Sequence, residues 1–444
     1  MINPLFFAKH VNPATLLRPL GSFEHFLWLI DQNRPVHFAL AAHVQGATEI
    51  KQWREALELV QRRHPLLSAS IVANGTGRPH FRQDVGTPIP LRVRQENNAT
   101  RDWELEMELE LSIAFDPEQA PLVRAVLLHE ADRAVVILVA HHSVADGRSI
   151  AFVIRDLLQV LSGRGLDSLS LLPPHEEMLG LTGPGAAASA RPAEGALSPV
   201  SPASEPATYI TRERLRPRIK SVHLTSALTR KLRERARQEG TTVHGALSAA
   251  VALAVWFERT DFTDAPIRIC SPIDTRKLLG LGEDCAALID AGIVNIRPRT
   301  PVDFWDVARE SMVSLSRART LQGVVDSRGV LCRAVADGVD VPAAAAICAQ
   351  AFAHDIMLTN LGNLPFRSDF GQLRLEEMWG PAVSARFDGV PTIGVTTTNG
   401  ALRLVETSFS APGLLLETTH EILKAASLGL GARSSHPAAQ LSLQ

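Results

Sequence analysis

The residues best suited to do chemistry are His141-His142-Ser143-Val144-Ala145-Asp146-Gly147. Two imidazoles, which titrate near neutral pH, stand close to a carboxylate, a combination suited to general acid–base work. The histidines end the apolar run Val135 to Ala140, which reads as a buried strand. After Gly147, residues Ile150, Phe152, Val153, Leu157, Leu158 and Leu161 recur at helical spacing. A rigid strand thus delivers both rings to its end, and a helix leaves at once. Adjacent strand residues point to opposite faces, so His141 and His142 are not expected to share one cavity. One should serve structure and the other chemistry. Gly147 can supply a positive φ at the turn. An aspartate buried there needs a cationic partner.

The pattern resembles the HHxxxDG motif of the condensation-domain superfamily. That group includes nonribosomal peptide condensation domains, the mycobacterial polyketide-associated acyltransferases and, more distantly, the plant BAHD acyltransferases and chloramphenicol acetyltransferase. Further segments resemble the family in the same order along the chain. Arg63-His64-Pro65-Leu66-Leu67 is similar to its "rHPxLr" stretch, and Phe115-Asp116 with Pro121-Leu122 to the segment before the histidine strand. Ser271-Pro272-Ile273-Asp274-Thr275-Arg276 resembles "PVDxR", and Thr359-Asn360-Leu361-Gly362 resembles the "SNLG" loop. The plant "DFGWG" element is absent, and Arg386-Phe387-Asp388-Gly389 is no substitute for it.

The resemblance implies an α/β (α+β) fold of two chloramphenicol acetyltransferase-like lobes in a V-shaped pseudo-dimer. Each lobe would be a mostly antiparallel mixed sheet with flanking helices. By the same resemblance His142 is the general base of an acyl transfer. His141, Asp146 and Gly147 are structural, and Arg276 reaches Asp146 across the lobes. Asn360 either lies near the reacting carbonyl or forms a turn before Gly362. Where peptide condensation domains often carry an aromatic, this chain has Arg148, which either meets a substrate anion or is simply solvated. The implied donor is a thioester on carrier-protein phosphopantetheine or coenzyme A, and the acceptor a small alcohol or amine. No bound cofactor is implied, and a monomer is expected. Ester formation is favoured over amide formation. An amide-forming stand-alone condensation domain and a non-catalytic carrier-binding module are the alternatives.

The elements that must position these residues follow from the bulk sequence. A chain of 444 residues exceeds one ordinary core, so two domains are expected. The reading divides it into an acyltransferase lobe over 1–182, a flexible Gly/Ala/Ser/Pro-rich linker over 183–207, a second lobe over 208–430 and a disordered tail over 431–444. A net charge of −2 gives no electrostatic case for nucleic acid. No apolar run is long enough to span a bilayer, and the first residues lack a signal-peptide pattern. The four cysteines show no CxxC spacing and read as reduced residues of a cytoplasmic protein. His142 and Asp146 could share a metal, but no ligand cluster with metal spacing accompanies them.

Local signals place the remaining elements. Ser22, Thr48, Thr225 and Thr242 read as helix caps. Leu122–Leu128 and Ala134–Ala140 read as an antiparallel hairpin. Asn399-Gly400 predicts a type I′ turn between two late strands. His64 reads as a structural residue at a helix stop.

Overall fold

The computed structural model describes residues 15–73, 78–95, 99–182, 216–258, 265–297, 303–351, 353–384, 390–409 and 413–430. The expected linker 183–207, the tail 431–444 and the stretch 386–389 lie outside the described residues. In the first half the elements are β1 (Thr15–Pro19), α1 (Ser22–Asn33), β2 (His37–Gln45), α2 (Ile50–Arg63), β3 (Ala69–Val72), β4 (His80–Gln83), β5 (Leu91–Arg94), α3 (Trp103–Ser112), β6 (Val123–His129), β7 (Arg133–His141), α4 (Gly147–Leu161) and α5 (His175–Met178). The second half opens with β8 (Arg218–Leu224), α6 (Ser226–Gln238), α7 (Val243–Glu258), β9 (Ile267–Asp274), α8 (Arg276–Leu279), β10 (Ile289–Ile296) and α9 (Phe304–Ser314). It continues through α10 (Leu321–Ala336), α11 (Val341–Ala351), β11 (Ile356–Asn363), β12 (Asp369–Phe370), β13 (Leu373–Val383), β14 (Thr392–Thr398), β15 (Ala401–Ser408) and α12 (Leu415–Ser427).

Two mixed sheets of six strands organise the molecule. Their orders are β12-β13-β2-β7-β6-β5 and β10-β9-β11-β14-β15-β8, and a small sheet β1-β4-β3 flanks the first. Helices pack on both, and the fold is the expected two-lobe α/β architecture. The first lobe's core centres on β2, β6 and β7, whose alternate residues Leu40, Leu127, Val136 and Leu138 meet Ile150, Val153 and Leu157 of α4. The second core forms around α7, where Ala246 to Ala254 are buried. No single described helix is long and apolar enough to cross a membrane.

The sheets are not divided where the sequence is. Strand β13 comes from the second half yet pairs antiparallel with β2, Ala382 facing Ala39 and Val383 facing Phe38. Leu375 and Met378 of β13 join the first core, as do Ala286, Leu288 and Leu361. Backbone pairing to β2 and burial of these side chains hold the two halves together.

Capping departs from expectation at two helices. Gly21, not Ser22, caps α1, because the Glu24 carboxylate already accepts the Gly21 N–H at 2.6 Å. Glu49 caps α2, its N–H donating to Gln52, while the Thr48 hydroxyl accepts from the Trp53 indole at 3.0 Å. Thr225 and Thr242 accept the Leu228 and Gly245 N–H groups, as N-caps do. Asn399 and Gly400 both have positive φ, the geometry of a type I′ turn.

Candidate active site

Strand β7 keeps unbroken register with β2 to its last residue, where His141 faces His37. His141 is fully buried. Its Nδ1 accepts the Ser143 N–H at 3.1 Å, and its Nε2 lies 3.4 Å from Asp31. Asp31 also accepts the Val36 N–H, so the ring is fixed from two sides.

His142 is half-buried and turns to the opposite side. Its own N–H donates to the Val36 carbonyl, and its ring lies on Phe38, centroids 4.3 Å apart. Nδ1 is 3.2 Å from the Ala145 carbonyl. A carbonyl can only accept, so Nδ1 carries the proton and Nε2 holds the free lone pair. Among the described residues Nε2 has no hydrogen-bond partner. Burial in apolar surroundings pushes the imidazole down to about 4, against the raising influence of Asp146 and the Ala145 carbonyl. The ring is therefore neutral at pH 7.

Asp146 caps α4. Its carboxylate accepts from the Ser149 N–H at 2.8 Å, the Ser149 hydroxyl at 3.0 Å and the Leu288 N–H at 2.9 Å. Arg276 adds two bonds at 2.8 and 3.1 Å. Burial by itself would raise this carboxyl, but the guanidinium and the N–H donors hold it below the usual range. The clamp fixes the His141-to-Gly147 turn against the second lobe.

Gly147 is not at positive φ. It is the first residue of a helix, where ordinary φ suffices, and what requires glycine there is space. A Cβ would lie 2.7 Å from Pro381 and 3.1 Å from Leu361, so the helix start presses against β13 and β11. Arg148 is partly exposed but also bonded inside the chain. It donates to the Leu361 carbonyl at 2.9 Å and pairs with Asp274 at 3.4 Å. Asp274 also accepts from Arg276 at 2.8 Å, so charges alternate along Asp146, Arg276, Asp274 and Arg148. Asn360 lies within β11 rather than in a loop, and its side chain accepts the Gly362 N–H at 2.8 Å across a register irregularity.

These residues meet at a cavity of about 200 Å³ between the sheets. His142, Asp146, Gly147, Arg148 and Asn360 all border it, whereas His141 and Arg276 act from behind the wall. His64, outside the cavity, is buried with Nε2 2.9 Å from Asp156, which Arg63 and Arg155 also bind. Among the described residues no three His, Cys, Asp or Glu side chains gather as a metal ligand set.

Sequence reasoning overlooked several contributors. Asp274 sat inside a quoted motif, and its spacing of two from Arg276 along a strand end was the available signal. Phe38 and Leu288 gave none, because their contacts with His142 and Asp146 join distant parts of the chain.

Comparison with known proteins agrees with this fold. Residues 27–174 match the model of the "Condensation domain", and residues 213–280 match "Phthiocerol/phthiodiolone dimycocerosyl transferase C-terminus". Malpinin synthetase of Mortierella alpina is 31% identical over 150 residues, 32% of this chain and 2% of that protein. Phosphinothricin tripeptide synthetase PhsC of Streptomyces viridochromogenes is 31% identical over 166 residues, 35% of this chain and 15% of that protein. The matches thus span only a small part of these large relatives. Among solved structures, polyketide synthase associated protein 5 from Mycobacterium tuberculosis superposes with TM-score 0.66 at 17% identity, covering 94% of this chain and 99% of that one. The first condensation domain of the CDA synthetase gives 0.70 at 18%, with 96% and 98% covered. Trichothecene 15-O-acetyltransferase from Fusarium sporotrichioides gives 0.67 at 14%, with 93% and 95% covered. At such identities the likeness is one of fold.

Proposed function

From the match of residues 27–174 to the condensation-domain model and of residues 213–280 to a dimycocerosyl transferase C-terminus, we propose that the chain is an acyltransferase of the condensation-domain superfamily, joining a thioester-borne acyl group to a hydroxyl acceptor as an ester. The observation that carries this reading is the His142 ring. It is neutral, has its proton fixed on Nδ1, and borders the cavity between the lobes with Nε2 unpartnered.

In the proposed reaction Nε2 of His142 takes the proton from the acceptor hydroxyl. The oxygen attacks the thioester carbonyl carbon, and the C–S bond breaks. The imidazolium returns its proton to the departing thiolate. General-base assistance of this kind is worth about 10²- to 10⁴-fold. The remainder comes from holding two substrates in one cavity. Asp146, Arg276 and His141 position the turn that carries the base and exchange no protons themselves. The chemistry requires no metal or prosthetic group. The donor would arrive on a carrier-protein phosphopantetheine arm or as acyl coenzyme A, and the chain would act as a monomer in the cytoplasm.

The likeness of residues 213–280 to a dimycocerosyl transferase C-terminus supports ester formation. A second reading, amide formation with an amine acceptor, is favoured by the likeness of 166 residues of the chain to a tripeptide synthetase. Mass spectrometry of products decides between them when acyl-loaded carrier and acyl coenzyme A are each offered with alcohols and with amines. Ester products support the leading reading, and amide products alone replace it. Carrier binding without any product would leave only a docking module.

A further inference from the structure

His142 occupies one end of its cavity. The rest is walled by three helices, of which α1 also meets the motif through the His141–Asp31 and Ser143–Glu24 contacts. Phe23, Phe26 and Leu27 come from α1, Leu331 from α10 and Cys348 from α11. Behind them Leu29, Ala344 and Ile347 pack as a separate apolar cluster, so the wall is held by its own small core. The floor is Cys270 of β9, Ala291 of β10 and Met357 of β11. The register sets Met357 beside Cys270 and Ala291 beside Pro272, so these side chains share one face of the second sheet. Burial pushes both the Cys270 and Cys348 thiols up to about 12, which leaves them neutral wall atoms.

The carboxylates and guanidiniums bordering the cavity are already paired inside the chain. Asp146 is held by Arg276, and Asp274 by Arg276 and Arg148. Asp290 accepts from the Ser327 hydroxyl at 2.9 Å. Along β10, Ile289 and Ala291 are partly exposed while Asp290 and Gly292 are buried, which turns the Asp290 carboxylate away from the cavity face. A substrate ammonium or carboxylate entering this space would meet only charges that already have partners in the chain, and burying it without a partner of its own costs far more than apolar contact returns.

We propose that the chamber between α1, α10, α11 and the edge of the second sheet binds an uncharged apolar group, an alkyl or aryl chain without a free amine or acid. The acyl-transfer reading supplies the way this group is attached to a substrate. Its chemistry is argued from the chamber alone.

The test is a chain-length series in two arms. One arm offers acyl N-acetylcysteamine thioesters, acetyl to dodecanoyl, with a fixed short alcohol. The other offers 1-alkanols of the same lengths with a fixed acetyl donor. In the arm whose chain enters the chamber, kcat/KM rises about fourfold per methylene until the space is filled. A chain bearing an amine on its second carbon is poorer by about a hundredfold or more. Ala291→Leu moves the optimum to shorter chains, and Cys348→Ala moves it to longer ones. Equal rates along both arms, or an amine-bearing chain turned over as well as its plain counterpart, would overturn the proposal. Should no pair react, the transferase reading fails by itself. Calorimetry then reads the chamber directly: 1-alkanols must bind more tightly by about fourfold per methylene, and alkylammonium ions of equal length must bind far more weakly. Alkylammonium ions binding as well as alkanols would dispose of it.

Discussion

Replacing Arg276 by methionine removes the guanidinium that clamps the active-site turn, and the cost can be worked from the geometry. The Asp146 and Arg276 side chains are 1% and 3% exposed, so solvent screens little of their interaction. Arg276→Met leaves the carboxylate buried on three remaining bonds, from Ser149 and Leu288. Breaking one side of such a pair typically costs about 3–5 kcal/mol, a large fraction of the roughly 5–15 kcal/mol that keeps a protein folded. Asp146→Asn combined with Arg276→Met removes the stranded charge, so the double variant should lose less than the sum of the two singles. The coupling should be about 1–3 kcal/mol. The pH dependence fixes the sign. In the native protein the Asp146 pKa lies below its unfolded value, so its stabilisation is present above that value and is lost as pH falls through the folded pKa. Without the guanidinium, burial raises the carboxyl instead, and the variant's deficit should shrink as pH drops from about 7 to about 5. Denaturant unfolding followed by tryptophan fluorescence measures all three quantities. A single variant within about 1 kcal/mol of the native protein, strictly additive singles, or a deficit unchanged with pH would refute the reasoning.

Three further outcomes are expected. Because His142 is held down at about 4, the acid limb of the kcat/KM profile should lie nearer that value than 6.5, and a limb at or above 6.5 would contradict the burial argument. Gly147→Ala should destabilise by about 1–3 kcal/mol in denaturant unfolding, since its Cβ meets Pro381 and Leu361, whereas a neutral change would show that the close approach yields freely. His64→Ala removes a buried partner of Asp156 and should cost about 1–3 kcal/mol with kcat unchanged, so a selective loss of kcat would give His64 a catalytic role.

Much of the fold could be read locally. The strand β7, the turn and the helix α4 follow from an apolar run, a motif and a 3.6-residue repeat. The hairpins β6–β7 and β14–β15 follow from short polar or Asn-Gly turns. What escaped was set by distant contacts. Strand β13 alternates as any strand does, but nothing in its sequence says that it joins β2 of the other half. The alanine-rich α11 carries almost no periodic signal, so the chamber wall that it builds with α1 and α10 was invisible. At the site, residue types were legible and environments were not. The role of Gly147 was sought in its backbone, whereas the structure shows a constraint of space imposed by β11 and β13. Arg148 was read as meeting either solvent or substrate, because its partner Asp274 comes from the other lobe.

The most direct measurement is single-turnover kinetics of His142→Ala beside the native protein, with a matched donor thioester and acceptor. Loss of the base should slow transfer by about 10²- to 10⁴-fold while the unfolding midpoint stays near the native value. Transfer at the native rate would show that His142 does not take the proton and that the cavity between the lobes works by another group.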